Sequence, residues 1–227
     1  MNSRLSFYSF ERNFEMLLIV PPTFRGASLN VKLRIGGRNV ADWTGIAGRD
    51  PLRIAFNADL SPSEHLVTAE ITVPGGVKQT VTATITILNH KTNEVKSDRL
   101  TGGLIVGGRI FFPYGFYCYS PVQPTLPEEE VVKGFNMMSP YQKLVPETLN
   151  DRKRYMDRCA DLGMKVHYNL ISLTGGGGVS SQVQGLTDEA KRDRLISEIR
   201  TFMDHPALLA WYIADEPNGF RIPPSDL

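Results

Sequence analysis

The chain has 227 residues, a formal net charge of +1, and 41% hydrophobic and 22% charged residues. This is an ordinary globular composition, apolar enough to bury the core of one large domain or two small ones. With no basic stripe or acidic tail, the charge pattern excludes neither fold nor chemistry but gives no reason to expect nucleic acid or a membrane surface as partner.

The opening segment, MNSRLSFYSFERNFEMLLIVPP, does not have the make-up of a signal peptide. Its longest apolar run, Met16 to Val20, is short and follows acidic Glu11 and Glu15. No run approaches the roughly 18 apolar residues of a membrane span, and no Asn-x-Ser/Thr sequon occurs. As written the chain reads as cytoplasmic; a start lying further upstream would allow an extracellular or lysosomal protein. The two cysteines, Cys118 and Cys159, form neither a disulfide framework nor a metal motif, and are read as buried free thiols or a single bridge.

Residues 13–100 read as β. FEMLLIV (14–20), LNVKLRI (29–35), PLRIAF (51–56), LVTAEITV (66–73) and VKQTVTATITIL (77–88) are strand-length runs rich in β-branched residues. In the last of these, Val81, Ala83, Ile85 and Ile87 alternate with Thr82, Thr84 and Thr86, as in a strand with one wet face. Pro21-Pro22, Gly36-Gly37, Ser61-Pro62 and Gly75-Gly76 punctuate the runs, and Gly75-Gly76 signals a hairpin. Short strands at this spacing predict an antiparallel β-sandwich, immunoglobulin-like or jelly-roll-like, over residues 1–101.

From residue 102 the rhythm changes. GLIVGGRIFFPYG (103–115) predicts a hairpin turning at Gly107-Gly108, and GFYCY (115–119) a strand. Thr125, Pro127 and Glu128 predict a short helix over 125–133 opened by a capping box. FNMM (135–138) reads as a strand. Residues 149–162 read as a helix with Tyr155, Cys159 and Leu162 on one face and Gly163 as its stop. MKVHYNL (164–170) is the next strand. A helix follows over 188–204, with Thr187 as N-cap and Leu195, Ile199 and Phe202 on one face, then the strand LLAWYIA (208–214).

Alternating strands and helices require parallel strands joined by crossovers, and both a doubly wound sheet and a (β/α) barrel begin this way. A dinucleotide fold would place a glycine fingerprint after its first strand; SPVQPTLP stands there instead. The run Gly175–Gly178 lacks the Lys-Ser/Thr of a phosphate loop and is read as a loop. No metal or other cofactor is expected.

In such architectures function gathers at the C-terminal strand ends. Those ends carry Tyr117 and Tyr119, then His167 and Asn169, then Asp215 and Glu216. The carboxylates fit either a solvated strand end or a working acid, and His167 and Asn169 fit either ligand contacts or partners for backbone groups. A regular last strand puts Ala210, Tyr212, Ala214 and Glu216 on one face, and Leu209, Trp211, Ile213 and Asp215 on the other. Glu216 then points to a barrel mouth, where burial would raise its pKa toward general-acid use.

HPALLAWYIADEP (205–217) resembles the fourth-strand segment of the (β/α)8-barrel retaining glycoside hydrolases whose catalytic glutamates end strands four and seven. VGGRIFFPYGFY (106–117) resembles the hairpin that leads those enzymes into strand one, and a β-sandwich precedes the barrel in the β-galactosidase-like and β-mannosidase-like members. The resemblance implies a sandwich (1–101) followed by the first half of a TIM barrel (102–227). Carried over by position, Glu216 matches the acid/base that protonates the leaving glycosidic oxygen and then activates water. Asp215 stands where the usual Asn meets the sugar 2-hydroxyl, so it is assigned to positioning or pKa tuning.

A retaining mechanism also needs a nucleophilic carboxyl about 5–5.5 Å from the acid, and this sequence has no position that matches it. A complete barrel runs to roughly 250 residues. The resemblance therefore implies an inactive fragment, a short isoform or a truncated gene model, whose parent hydrolyses O-glycosidic bonds with retention. The open edge of a half-barrel would be a surface for self-association. The alternative is a non-catalytic carbohydrate-binding or protein-interaction module, with Tyr117, Tyr119 and Trp211 as a sugar platform.

Overall fold

The computed structural model describes residues 1–175 and 182–215. In chain order the elements are β1 (Asn2–Ser3), β2 (Asn13–Leu18), β3 (Ser28–Ile35), β4 (Arg38–Ile46), β5 (Leu52–Asn57), β6 (Ser63–Thr72), β7 (Lys78–Ile87), β8 (Val95–Asp98), β9 (Gly103–Val106), β10 (Arg109–Phe111), β11 (Gly115–Tyr119), α1 (Leu126–Val131), β12 (Met137–Tyr141), α2 (Leu149–Asp161), β13 (Lys165–Asn169), α3 (Ile171–Thr174), α4 (Asp188–Phe202) and β14 (Leu208–Tyr212). The chain is mostly sheet with few helices, and its packing divides into two compact units, Met1–Phe111 and Phe112–Leu227.

The first unit contains three antiparallel sheets, ordered β1-β2-β5, β4-β3-β6-β7 and β10-β9-β8. Burial alternates along β3 and β5, as the apolar spacing of LNVKLRI and PLRIAF predicts. Phe14, Met16 and Leu18 of β2 and Ile54 and Phe56 of β5 share one hydrophobic cluster with Leu29, Val31, Leu33, Val67, Ala69 and Ile85 of the larger sheet. Val31 and Leu33 are wholly inaccessible, and burying each such side chain contributes about 1.5–3 kcal/mol.

β4 was not legible as a strand. Its half-exposed sequence RNVADWTGI lacks an apolar alternation, yet it pairs with β3 across Gly36-Gly37, whose φ values of +56° and +79° suit a tight hairpin that favours glycine. The predicted turns at Gly75-Gly76 and Gly107-Gly108 likewise join β6 to β7 and β9 to β10. The N-terminal segment is tied down by charge. Arg4 bonds both Glu15 (2.7 Å) and Asp98 (2.8 Å). Lys96, 2% exposed, bonds Glu11 (2.6 Å) and Ser9 (2.8 Å) and lies over the rings of Phe7 and Phe10.

The second unit is built on a four-stranded parallel sheet in the order β11-β12-β13-β14. Met138, Val166, Tyr168 and Leu208 pack with Tyr155, Met156 and Cys159 of α2 and Phe202 of α4 in one cluster, which Cys118 and Trp211 join from its margin. The helices therefore cover the face carrying even-numbered β13 residues. Thr187 caps α4 by accepting from Ala190 N at 3.2 Å, and Gly163 (φ +70°) follows α2, both at the predicted positions. Cys118 and Cys159 are free thiols.

Three local expectations are corrected. The capping box on α1 does not form: Thr125 Oγ1 donates to Glu129 at 2.7 Å, while Glu128 is drawn away to Arg158. β12 begins at Met137 and runs to Tyr141, because Asn136 is held by its own bonds to Tyr114 N and Phe112 O. The loop after β13 opens with α3, set by Asn169 Oδ1 accepting from Ile171 N at 3.0 Å. Residues 176–178 of the glycine run lie outside the described residues.

Candidate functional site

Pleat alternation places the odd-numbered residues of β11, β12 and β13 on the sheet face away from the helices. Tyr117 pairs in register with Ser139, and Asn169 with Tyr212, so side chains from all four strands meet there near the C-terminal ends. The rings of His167 and Tyr212 stack with centroids 4.7 Å apart, and Tyr117 lies 6.2 Å from Tyr212. Ser139 Oγ stands 3.5 Å from His167 Nδ1 and donates to His167 O at 3.3 Å. Tyr119 is apart from this group, 84% exposed and 6.4 Å from Tyr141.

The regular strand β14 ends at Tyr212, so strict alternation does not run on to Asp215. The Tyr212 hydroxyl donates to Asp215 Oδ1 at 2.5 Å, and Asp215 is found with Tyr212 rather than on the opposite face. Glu216 lies outside the described residues.

The electrostatics follow from burial. Burial lowers the His167 pKa, so its imidazole is neutral at neutral pH and presents one donor and one acceptor. Burial raises the Tyr212 phenol, and its bonds to Asp215 and to Tyr117 raise it further. Asn169 is 1% exposed; its Oδ1 bonds Ile171 N, while Nδ2 has no partner among the described residues. An orphaned buried amide costs about 1–3 kcal/mol unless something accepts from it. Beneath it, Gln142 Nε2 donates to Asn169 O at 3.4 Å and Tyr155 OH donates to Gln142 Oε1 at 2.7 Å.

The structure thus brings Tyr117, His167 and Asp215 together, sets Asn169 beside Tyr212 in register, and leaves Tyr119 outside. Sequence reasoning missed Ser139, and noticed Tyr212 only for its parity. No sequence signal marks either, because each is aligned with a residue already singled out only through the strand register, which the fold supplies. The arrangement can stack a ring against Tyr212 and Tyr117, donate from phenol, and accept at Asp215.

Neither a protein-family model nor a curated protein matches this chain. Solved structures do, glycoside hydrolases among them. One is a protein from Bacteroides vulgatus ATCC 8482 assigned as a glycoside hydrolase, at 14% identity and TM-score 0.41, covering 94% of this chain and 50% of that one. A β-glycosidase from Bacteroides vulgatus shares 12% identity at TM-score 0.39, covering 93% of this chain and 29% of that one. A family 39 glycoside hydrolase from Bacteroides cellulosilyticus WH2 shares 11% identity at TM-score 0.32, covering 90% and 41%. The chain spans half or less of the length of each. At this level of similarity they assign no role to any residue. Among the described residues no helix is long and apolar enough to cross a membrane.

Proposed function

We propose that this chain is the carbohydrate-recognising part of a glycoside hydrolase-like protein, with a β-sandwich leading into the first half of a (β/α)8 barrel. The observation that carries the reading is the cluster of Tyr117, His167, Tyr212 and Asp215 at the C-terminal ends of parallel strands. Aromatic rings beside hydrogen-bonding groups suit a sugar, whose ring offers an apolar C–H face and a hydroxyl rim.

In this reading Glu216 is the acid/base of a retaining O-glycosyl hydrolase and Asp215, fixed by Tyr212, positions it or tunes its proton affinity. Retention needs a nucleophilic carboxyl about 5–5.5 Å from the acid. The resemblance offers no position in this sequence for that carboxyl, and in this reading the chain alone binds glycans without turning them over. A panel of aryl glycosides, with Glu216→Gln as comparison, tests both halves. Glycan binding lost in Tyr212→Ala, with no turnover, is the expected result. Turnover abolished by Glu216→Gln would place a nucleophile within this chain, and absence of glycan binding would remove the reading altogether.

The second reading, a binding module that never served catalysis, is favoured by Tyr117 and Tyr119 at 63% and 84% exposed. It requires binding that is indifferent to Glu216 and Asp215 and sensitive to those two tyrosines.

A further inference from the structure

Resting on the glycan reading of this face, we propose that the strand-end cluster selects its sugar by charge: Asp215 favours an amine-bearing unit over a neutral one and turns an acidic one away. In the cluster of Tyr117, Ser139, His167, Tyr212 and Asp215, only Asp215 carries a formal charge. Burial holds the His167 imidazole neutral, and the other three are hydroxyls. Asp215 forms no ion pair among the described residues; its Oδ1 accepts from the Tyr212 hydroxyl at 2.5 Å. A neutral donor fixes the carboxylate in place without cancelling its charge.

The hydrogen bonding has the same bias. Tyr212 commits its proton to Asp215, so the pair presents oxygens that accept. An ammonium brings three donors and a positive charge, a sugar hydroxyl brings one donor, and a carboxylate brings none. A sugar acid therefore sets acceptors against acceptors and an anion against an anion. The rings favour the cation as well. Tyr117 is 63% exposed with its ring 6.2 Å from that of Tyr212, and a ring face attracts an ammonium.

No surrounding cation offsets the carboxylate. The segments that follow the four parallel strands, 120–125, 142–148, 170–187 and 213–227, contain Lys143 and Arg221 against Glu147, Asp215, Glu216 and Asp226. Lys143 lines a cavity beside Tyr141 that Asp151 also lines. Lys165 shares a strand with His167 but starts it, at the end away from Asp215, and its amine donates to Pro206 O at 2.6 Å. The charge that a ligand meets between Tyr117 and Tyr212 is thus negative.

Calorimetric titration of the full chain with 4-nitrophenyl β-glycosides in two matched series tests it: glucosaminide, glucoside and glucuronide, and the three galacto counterparts. At about pH 6.5 the sugar amine is protonated. In whichever series binds, affinity should fall from amine to neutral to acid by about fivefold or more per step, as one charge contact at about 4 Å in water gives. About 0.5 M salt should shrink the steps by more than about half, because it screens charge and leaves steric fit alone. Asp215→Asn keeps an acceptor for Tyr212 and should close the gap, with circular dichroism reporting its fold; the salt series stands if that variant does not fold. Equal binding of all three sugars leaves the glycan reading in place and overturns the charge selection. So does an order indifferent to salt, or one that survives in folded Asp215→Asn and vanishes in Glu216→Gln. No binding in either series removes the glycan reading, and the charge selection with it.

Discussion

The Tyr212 hydroxyl donates to Asp215 Oδ1 at 2.5 Å, joining the last residue of β14 to the first carboxylate beyond it. Ionising that phenol would set two anions at hydrogen-bond distance, which is why the bond reinforces the upward shift that burial begins. Spectrophotometric titration should show a tyrosine that remains protonated past the ordinary phenol range near about pH 10. Tyr212→Phe removes one tyrosine from the late component that Tyr8, Tyr155 and Tyr168 share, and Asp215→Asn brings the Tyr212 part of it back toward the ordinary value. A titration unchanged by Asp215→Asn would contradict the assignment.

The same shift has a consequence for stability. Tyr8, Tyr155 and Tyr168 are raised as well, each first by burial. A tyrosine whose folded pKa exceeds its unfolded one holds its proton longer when folded. Its contribution is complete below about pH 10 and is lost as pH rises from there toward the folded value. The Cys118 and Cys159 thiols are raised by burial too, so melting temperatures should hold from neutral pH to about 8.5 and then fall, most steeply past about pH 10.

Arg152 and Glu198 form a buried ion pair with bonds of 2.6 and 3.0 Å, with side chains 3% and 6% exposed, joining α2 to α4. The Tyr168 hydroxyl also donates to Glu198, tying β13 to the pair. Removing one partner strands a charge in the core. Arg152→Ala should therefore cost about 3–5 kcal/mol in urea unfolding. Arg152→Met with Glu198→Leu should cost less than either single truncation, because no charge is left behind.

The pair also shows where sequence reading stops. Arg152 lies on the very face of α2 that Tyr155 and Cys159 define, a position the apolar pattern does not single out, and only the tertiary fold shows Glu198 opposite. The long strands and the alternation into parallel β and α were legible because their apolar period is strong. β4 was not, because an edge strand half-open to water needs no apolar alternation. At the site, strand ends could be counted off the sequence, but register could not. The stacking of His167 on Tyr212 depends on a pairing that shifts between Val166 and His167.

The acidic limit is set by the first unit. Burial opposes ionisation of Glu11, Glu15 and Glu94, but bonds from Lys96, from Arg53 and Arg4, and from Ser9 respectively outweigh it and lower all three. Asp98 is lowered chiefly by Arg4. Groups depressed in the folded state stabilise it above their unfolded pKa, near about 4, and that contribution disappears as pH falls further. Melts should lose stability first below about pH 6.5, where buried His167 must gain a proton, and more steeply below about pH 4.5, and Arg4→Met should flatten the steeper decline while lowering stability at neutral pH.

Burial raises the Cys118 and Cys159 thiols to about 12. Almost no thiolate then exists at neutral pH, and alkylation needs the thiolate. Iodoacetamide should leave both residues intact in the native chain over a time in which urea-unfolded chain is fully modified, as intact-mass spectrometry would show. Rapid native labelling of either would contradict the packing described.

Gly115 connects fold to site most directly. A Cβ built there would lie 2.2 Å from Met137 O and 2.8 Å from Met137 C, both backbone atoms that no rotamer change can move. The strands β11 and β12 approach this closely because Gly115 pairs with Met137 at the start of their ladder. Gly115→Ala must push the strands apart where the pairing begins, with Tyr117 and Tyr119 further along the same strand. Overpacking of this kind costs about 1–3 kcal/mol, measurable by urea unfolding. The displacement should also weaken glycan binding more than Gly163→Ala, which strains a positive φ but adds no contact within 4 Å. Equal losses in the two variants would show that binding follows global stability rather than the position of β11.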